Sequence, residues 1–515
     1  MLAELRHARM RQRAVREGGR PSIAKLIGPP AAGALAVALL VAPGTARASL
    51  SATGSPAPPG RFGSPASGVP FPGGLVHVDG HGWGPGIGMG QWGAFGYAAV
   101  GHETYQWILA HFYGGTTLAS NGGDPYLSVG VVENTGAPLV VTSQSKFRLG
   151  GEVIPAGEAA RAVLHPDTGT WVVKTGSSCT ATRWKKVGVV TGTVQAVPSS
   201  QQPDAPGSRL LTICRADGVD MTVRGLVRGI IDRSGGTSVA QTINLVPLDQ
   251  YVADVVPSES SAGWGELGGT AGAPQGEPWG FQSLEAQAVA ARTYALAYVA
   301  GGGFEGWADI CDSDWCQSYP GTANETAIST LAATDTSGEI LEIDGIPAPT
   351  EYSASTGGWT APSRFPAVVD DGDSVCLAST GYWSCNPDHY WQVTIPVAKV
   401  EARFPKIGSL LAVHVLTRNG FGAWGGRALR VKIRGTNGAV YESGDTFARQ
   451  FALASNWFLI AHPATSSTGT SGSVENAASG AGVTPPFGSG GTGPLPSGAP
   501  GTASGSRREP GSAGR

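Results

Sequence analysis

The strongest constraint on this chain is at its ends. Of the 53 residues from Pro463 to Arg515, 43 are Gly, Ser, Thr, Ala or Pro, and Ser49 to Gly74 is a similar Ser/Pro/Gly stretch. Segments so poor in apolar surface cannot offset the entropy of ordering, so both read as disordered. A folded body of 75–462 is left between a 49–74 linker and a 463–515 tail. The body contains most of the 14 Trp, 14 Phe and 12 Tyr, enough for a real core.

Residues 1–48 have another character. Eight Lys/Arg stand there against two Asp/Glu, and Ala31 to Ala42 is an uncharged apolar run closed by Ala46-Arg47-Ala48. This is the layout of a secretory signal peptide with its cleavage site. The alternative is a retained anchor, but the run is about a dozen residues where a bilayer span needs about 20. Without this leader, 27 basic residues face 36 acidic ones. That balance argues against nucleic acid as a partner and against lipid-specific membrane binding. The expected location is secreted or cell-wall associated.

Six cysteines, an even number, agree with export and favour disulfides. Loop closure is easiest between near neighbours, which predicts Cys311 with Cys316, Cys376 with Cys385 and Cys179 with Cys214. The competing reading, a metal site at Cys311-Asp-Ser-Asp-Trp-Cys316, has no His within the span to fill a ligand set. No metal and no cofactor is expected.

Apolar spacing after Thr104 predicts a short amphipathic helix to Tyr113. From Tyr126 to Asn244 short β-branched runs such as Leu139 to Thr142 and Trp171 to Lys174 are broken by Gly, Pro and Asp, which predicts many short strands. Leu248 to Val256 and Ser283 to Val299 read as helices, the second with Leu284, Ala288, Ala291, Ala295 and Tyr298 along one face. Alternation returns at Glu339 to Ile343 and Leu429 to Arg434. The fold class is α+β, a mostly β-sheet body with a few helices.

The run Val246 to Glu259, with Trp279 and Leu284-Glu-Ala-Gln-Ala-Val-Ala-Ala-Arg-Thr-Tyr-Ala-Leu296, resembles the core of the SpoIID/LytB family. Cys311 to Gly321 is similar to its Cys-to-Cys-Gln-x-Tyr-x-Gly element, Glu351 to Thr360 to its Ser-rich Gly-Gly turn, and Phe447 to Phe458 to its closing segment. These blocks make 245–462 the expected catalytic core, with 119–244 a β-rich part. Gly80 to Ala94 resembles a Gly-His-Gly-x-Gly-Met-x-Gln-x-Gly-Ala element that ordinarily ends the domain. Its position in 75–118 reads as circular permutation, which is tolerated where termini lie close together; the alternative is a separate Gly-rich loop with no shared site.

The resemblance implies peptidoglycan glycan strands as partner. Family members include lytic transglycosylases, and others enhance a cell-wall amidase, so a non-catalytic glycan-binding role is the alternative. Glycan cleavage requires a carboxylic acid to protonate the leaving oxygen. Glu259 holds the family's catalytic position, expected just beyond a helix, with Trp264, Trp279 and Trp359 as apolar neighbours that could raise its pKa. Asp254, Glu266 and Glu285 are competing carboxylates, the first and last expected on exposed helix faces. Gln287 and Arg292 are expected to contact substrate or else to tie their helix to neighbouring backbone. Tyr352, Ser353, Ser355, Gly357 and Gly358 form a turn suited to a sugar chain, and His81 and Gln91 are carried by the Gly-His-Gly block. Pro85 stands where relatives have His, and Trp315 where some carry a zinc-binding His.

Overall fold

A computed structural model describes residue 71, residues 74–379 and residues 382–461. The segments read as a 1–48 signal peptide and a 463–515 tail, and nearly all of that read as a 49–74 linker, lie outside the described residues. Seven α-helices are present among the described residues: α1 Gln91–Ala99, α2 Tyr105–Phe112, α3 Leu248–Glu259, α4 Phe281–Ala300, α5 Ala327–Asp335, α6 Val397–Arg403 and α7 Gly444–Phe451. With the strands they make an α+β architecture in which sheet predominates, as the alternation of sequence patterns requires.

The β-rich region forms two sheets around one core. One contains seven strands in the order Ile310–Cys311, Tyr126–Gly130, Val239–Pro247, Leu226–Asp232, Val194–Val197, Phe147–Leu149 and Glu152–Ile154; the other contains six, with Ala159–His165 and Leu139–Thr142 at its centre and Thr170–Gly176 beside the former. Val129 and Val227 from the first sheet and Trp171 and Val173 from the second belong to one hydrophobic cluster, which continues into α3 and α4 through Val252, Val255, Leu284 and Ala288. Leu139–Thr142 and the first half of Thr170–Gly176 alternate as a period of two requires, whereas Val239–Pro247, between two neighbouring strands, is buried along most of its length.

Helix α4 is the axis of the molecule. It is buried on nearly every side from Phe281 to Thr293 and packs against α1, α2, α3, α5 and the strand Glu339–Ile343. Its run of alanines permits this, because small side chains let backbones approach from several directions. The five-residue face read from the sequence is therefore too narrow: Ala286, Val289 and Ala290 on the other side are buried too, against α1 and α2.

The described chain begins and ends side by side. Leu75–His81 lies between Tyr390–Pro396 and Phe458–Ala461, antiparallel to both, with His77 opposite Ala461. Val76 and Val78 from this strand join Ile407, Val431, Phe447 and Phe458 in a second hydrophobic cluster with α6 and α7. All three predicted disulfides are formed: Cys179–Cys214, Cys311–Cys316 and Cys376–Cys385. No helix among the described residues is long and apolar enough to cross a membrane.

Candidate functional site

Glu259 is the last residue of α3, not a residue beyond it. Pro257 does not stop the helix: it removes one N–H in the final turn, while the Ser258 hydroxyl donates to the Asp254 carbonyl at 2.9 Å and the Ser260 N–H to that of Val256. The half-buried carboxyl points toward three other segments. Oε1 accepts the Ser318 backbone N–H at 2.6 Å. Oε2 lies 3.4 Å from the Gln91 Nε2, and the Tyr352 hydroxyl faces the same carboxyl.

Each neighbour has a local reason for its place. The Cys311–Cys316 disulfide closes the short loop that leads directly into Gln317 and Ser318. Met89–Gly90 pairs in parallel with Tyr352–Ser353, which puts Gln91, the first residue of α1, beside Tyr352. That helix start is tightly seated. A Cβ on Gly93 would come within 2.2 Å of the buried Asp370 carboxyl, and one on Gly88 within 1.9 Å of the Glu351 carbonyl.

Behind the carboxyl, the direction of the hydrogen bonds is fixed. Gln317 Nε2 is 3.3 Å from the Ala291 carbonyl, which can only accept, so this end of the amide must be the donor. The same nitrogen donates to the Tyr352 hydroxyl at 2.9 Å, and Gln317 Oε1 accepts from the Tyr251 hydroxyl at 2.9 Å. The Tyr352 proton is thus left to face Glu259. Gln287, fully buried on α4, accepts from Ser260 Oγ at 3.2 Å and from Gln91 Nε2 at 3.5 Å.

Burial pushes the Glu259 pKa up. The Ser318 N–H, Gln91 and Tyr352 pull it back by stabilising the anion, and Asp314 adds a small upward push, leaving a carboxyl that is easier to protonate than an exposed one. The three tryptophans offered by the sequence make ring contacts with other aromatic side chains. Trp264 packs on Phe95 and Trp92, Trp279 stacks on His102, and Trp359 leans on Phe421. The aromatic residues Tyr251 and Tyr352 share electrostatic contact with Glu259. The Gly-rich segment after Ser260 packs on α1 through Trp264 and Gly268.

Arg292 is a structural tie. It is fully buried, pairs with Asp249 at 2.8 Å, and donates to the Ala333 carbonyl on α5 at 2.9 Å and the Glu339 carbonyl at 3.3 Å. This is the helix-tying role, and it leaves no donor for a sugar. Asp254 and Glu285 also differ from expectation, because neither is on an exposed face: both are completely buried, while Glu266 is exposed. Burial raises Asp254 far above the usual carboxylate range and Glu285 to about 8.

The Ser-rich turn is held from beneath by Asp373. Its buried carboxylate accepts from Ser355 Oγ at 2.8 Å, Thr356 N at 3.1 Å, Gly357 N at 3.0 Å and His389 Nδ1 at 2.7 Å. Gly357 and Gly358 have φ of 77° and 101°, the left-handed region that explains both glycines. Ser353 Oγ accepts the Gly86 N–H at 2.9 Å. His81 lies directly against this turn, at Gly357. Its Nδ1 donates to the His389 carbonyl at 3.1 Å, its ring sits 4.6 Å from Trp424 and 5.1 Å from Trp457, and burial lowers its pKa.

The Gly-His-Gly block thus enters the site through Gln91 and supports it through His81, and it is not a separate loop. Sequence reasoning missed Gln317, Ser318, Tyr251 and Ser260 as neighbours of Glu259. All four stand in or beside the motif blocks, but nothing in their type marked them as partners of one carboxyl.

Residues 237–342, which contain α3, Glu259, α4 and the Cys311–Cys316 loop, match the family SpoIID, stage II sporulation protein. The chain thus carries a SpoIID segment over these residues. The SpoIID segment supplies Glu259, Gln287, Gln317 and Ser318, whereas Gln91 and Tyr352 come from outside it. No curated protein and no solved structure matches the chain.

Proposed function

We infer that the protein is an exported lytic transglycosylase that cleaves the glycan strands of peptidoglycan, with Glu259 as acid and then base. The observation that carries this reading is a single carboxyl with raised proton affinity, gripped through Oε1 by the Ser318 N–H and open to reaction through Oε2. Protonated Glu259 delivers its proton to the glycosidic oxygen as the C1–O bond breaks. The resulting carboxylate takes the proton of the muramic acid 6-hydroxyl, whose oxygen bonds to C1 and closes an anhydro ring. One residue serves both steps, so no second carboxylate is required. Export is supported by the basic leader with its apolar run, and by three disulfides. The adjacency of His77 and Ala461 supplies the close termini that circular permutation needs.

One observation favours the second reading, a glycan-binding enhancer of a cell-wall amidase. Three donors around Glu259 stabilise its anion, which suits binding of a sugar hydroxyl as well as catalysis. The deciding experiment is mass spectrometry of purified glycan strands incubated with the protein. Anhydro-muramic ends that vanish with Glu259→Gln support the transglycosylase; unchanged strands that still co-sediment with the protein support the binding role.

A further inference from the structure

The site must hold Glu259 both protonated and ionised, and its two oxygens are not equivalent in this respect. Oε1 receives a backbone N–H at 2.6 Å, a donor that cannot become an acceptor. A proton on Glu259 therefore belongs on Oε2, which lies 3.4 Å from the Gln91 amide nitrogen. Unlike a backbone amide, this one has a donor end and an acceptor end that a half-turn of the side chain exchanges.

The residue behind Gln91 is of the same kind. Gln287 Oε1 accepts from Gln91 Nε2 at 3.5 Å and from Ser260 Oγ at 3.2 Å, while Gln287 Nε2, completely buried, has no hydrogen-bond partner among the described residues. A buried amide donor without an acceptor is costly, so this arrangement suits only one state of the site. Inverting both amides gives the other state. Gln287 Nε2 then donates to Gln91 Oε1 and to Ser260 Oγ, and Gln91 Oε1 accepts the proton on Glu259 Oε2. Neither Ser318 nor the Gln317–Tyr352 chain changes, because both have fixed direction.

We propose that Gln91 and Gln287 form an invertible amide pair that matches the two protonation states of Glu259, making Gln91 a positioning residue that keeps the transferable proton on Oε2. Contacts of 3.4 and 3.5 Å are at the long end for hydrogen bonds, so a glycosidic oxygen can replace the amide at Oε2 with little loss. This deepens the acid-then-base reading of Glu259 and rests on it. The N-terminal block thereby acquires a chemical role, since a residue outside the SpoIID segment completes the acid.

The test is an NMR titration of the full chain carrying 15N-labelled glutamine and 13C-labelled glutamate. The expected result is that the side-chain amide resonances of Gln91 and Gln287 move together, with the midpoint of the Glu259 carboxyl, and that both become insensitive to pH in Glu259→Gln. Gln91→Leu, which removes a donor to the anion, moves the Glu259 midpoint upward by about one pH unit, a tenfold change in proton affinity. In an active enzyme the same variant lowers kcat with KM unchanged. Amide resonances that stay still while Glu259 titrates overturn the pair, as does an unmoved midpoint in Gln91→Leu. Coupled titration in a protein that releases no anhydro-muramic ends keeps the pair and sinks the transglycosylase reading; silent amides in an active enzyme do the reverse.

Discussion

Gln91 and Glu259 are 168 residues apart in the chain, and their side chains meet across the site at 3.4 Å. Gln91 starts the first helix of the folded body and Glu259 ends the third, so the candidate site exists only when the N-terminal block is docked on the SpoIID segment. The integrity of the site is therefore tied to that docking, and stability to the buried charged groups around it.

Replacing Glu259 by Gln removes the transferable proton while keeping the side-chain shape. Release of muropeptides is expected to fall by roughly a hundredfold to ten-thousandfold, the usual range for a lost acid-base group. Glycan co-sedimentation should stay near wild type, which separates chemistry from binding.

Docking of the block depends on Gly88. Its φ is +67°, and a Cβ there would meet the Glu351 carbonyl at 1.9 Å. Gly88→Ala should therefore cost about 1–3 kcal/mol or more in denaturant unfolding. It should also reduce muropeptide release, because Met89–Gly90 can no longer lie flat against Tyr352–Ser353. An alanine at Gly114, where the nearest atoms are 3.8 Å away, is the control and should leave activity unchanged.

Stability should depend on pH through Glu285. Burial is the main cause that raises its pKa from the ordinary 4.5 to about 8. The folded state then holds a proton that the unfolded state releases between those values. The stabilisation is complete below the unfolded pKa and is lost as pH rises through the folded one. At about 1.4 kcal/mol per pH unit the full effect is at most about 5 kcal/mol. Thermal unfolding of the wild type should weaken from pH 5 to pH 8, and Glu285→Gln should flatten this slope. The buried Asp254 and Asp370 act with the same sign, so some slope will persist.

Arg292 should behave as a structural residue. Its removal leaves Asp249 unpaired and strips donors from the Ala333 and Glu339 carbonyls. Arg292→Met is expected to destabilise by roughly 3–5 kcal/mol in denaturant unfolding. Arg292→Lys should restore only part of this, since an ammonium cannot reach three acceptors in one plane. Glycan binding by any folded fraction should be normal, which a sugar-contacting role would not allow.

Much of the secondary structure was legible. The strand Glu339–Ile343 and the Thr104-capped helix lie where the spacing put them, because those signals are local. The helix expected to end at Val256 runs on to Glu259, since a proline in the last turn forfeits one bond without ending the helix. Burial misled more seriously. A carboxylate on a helix is ordinarily solvated, yet Asp254 and Glu285 lie on faces covered by neighbouring elements. Arg292 could be read either as ligand contact or as tie, and only its partners decided.

The sequence by itself determined which segment matches the SpoIID family and favoured the three cysteine pairs that form, because motif spacing and loop closure act over short stretches of chain. Tertiary structure alone decided which oxygen of Glu259 is gripped, which amide faces the other, and where against the Ser-rich turn His81 lies. Hydrogen-bond direction and desolvation depend on atoms brought from segments far apart in the chain, and no local pattern encodes their meeting.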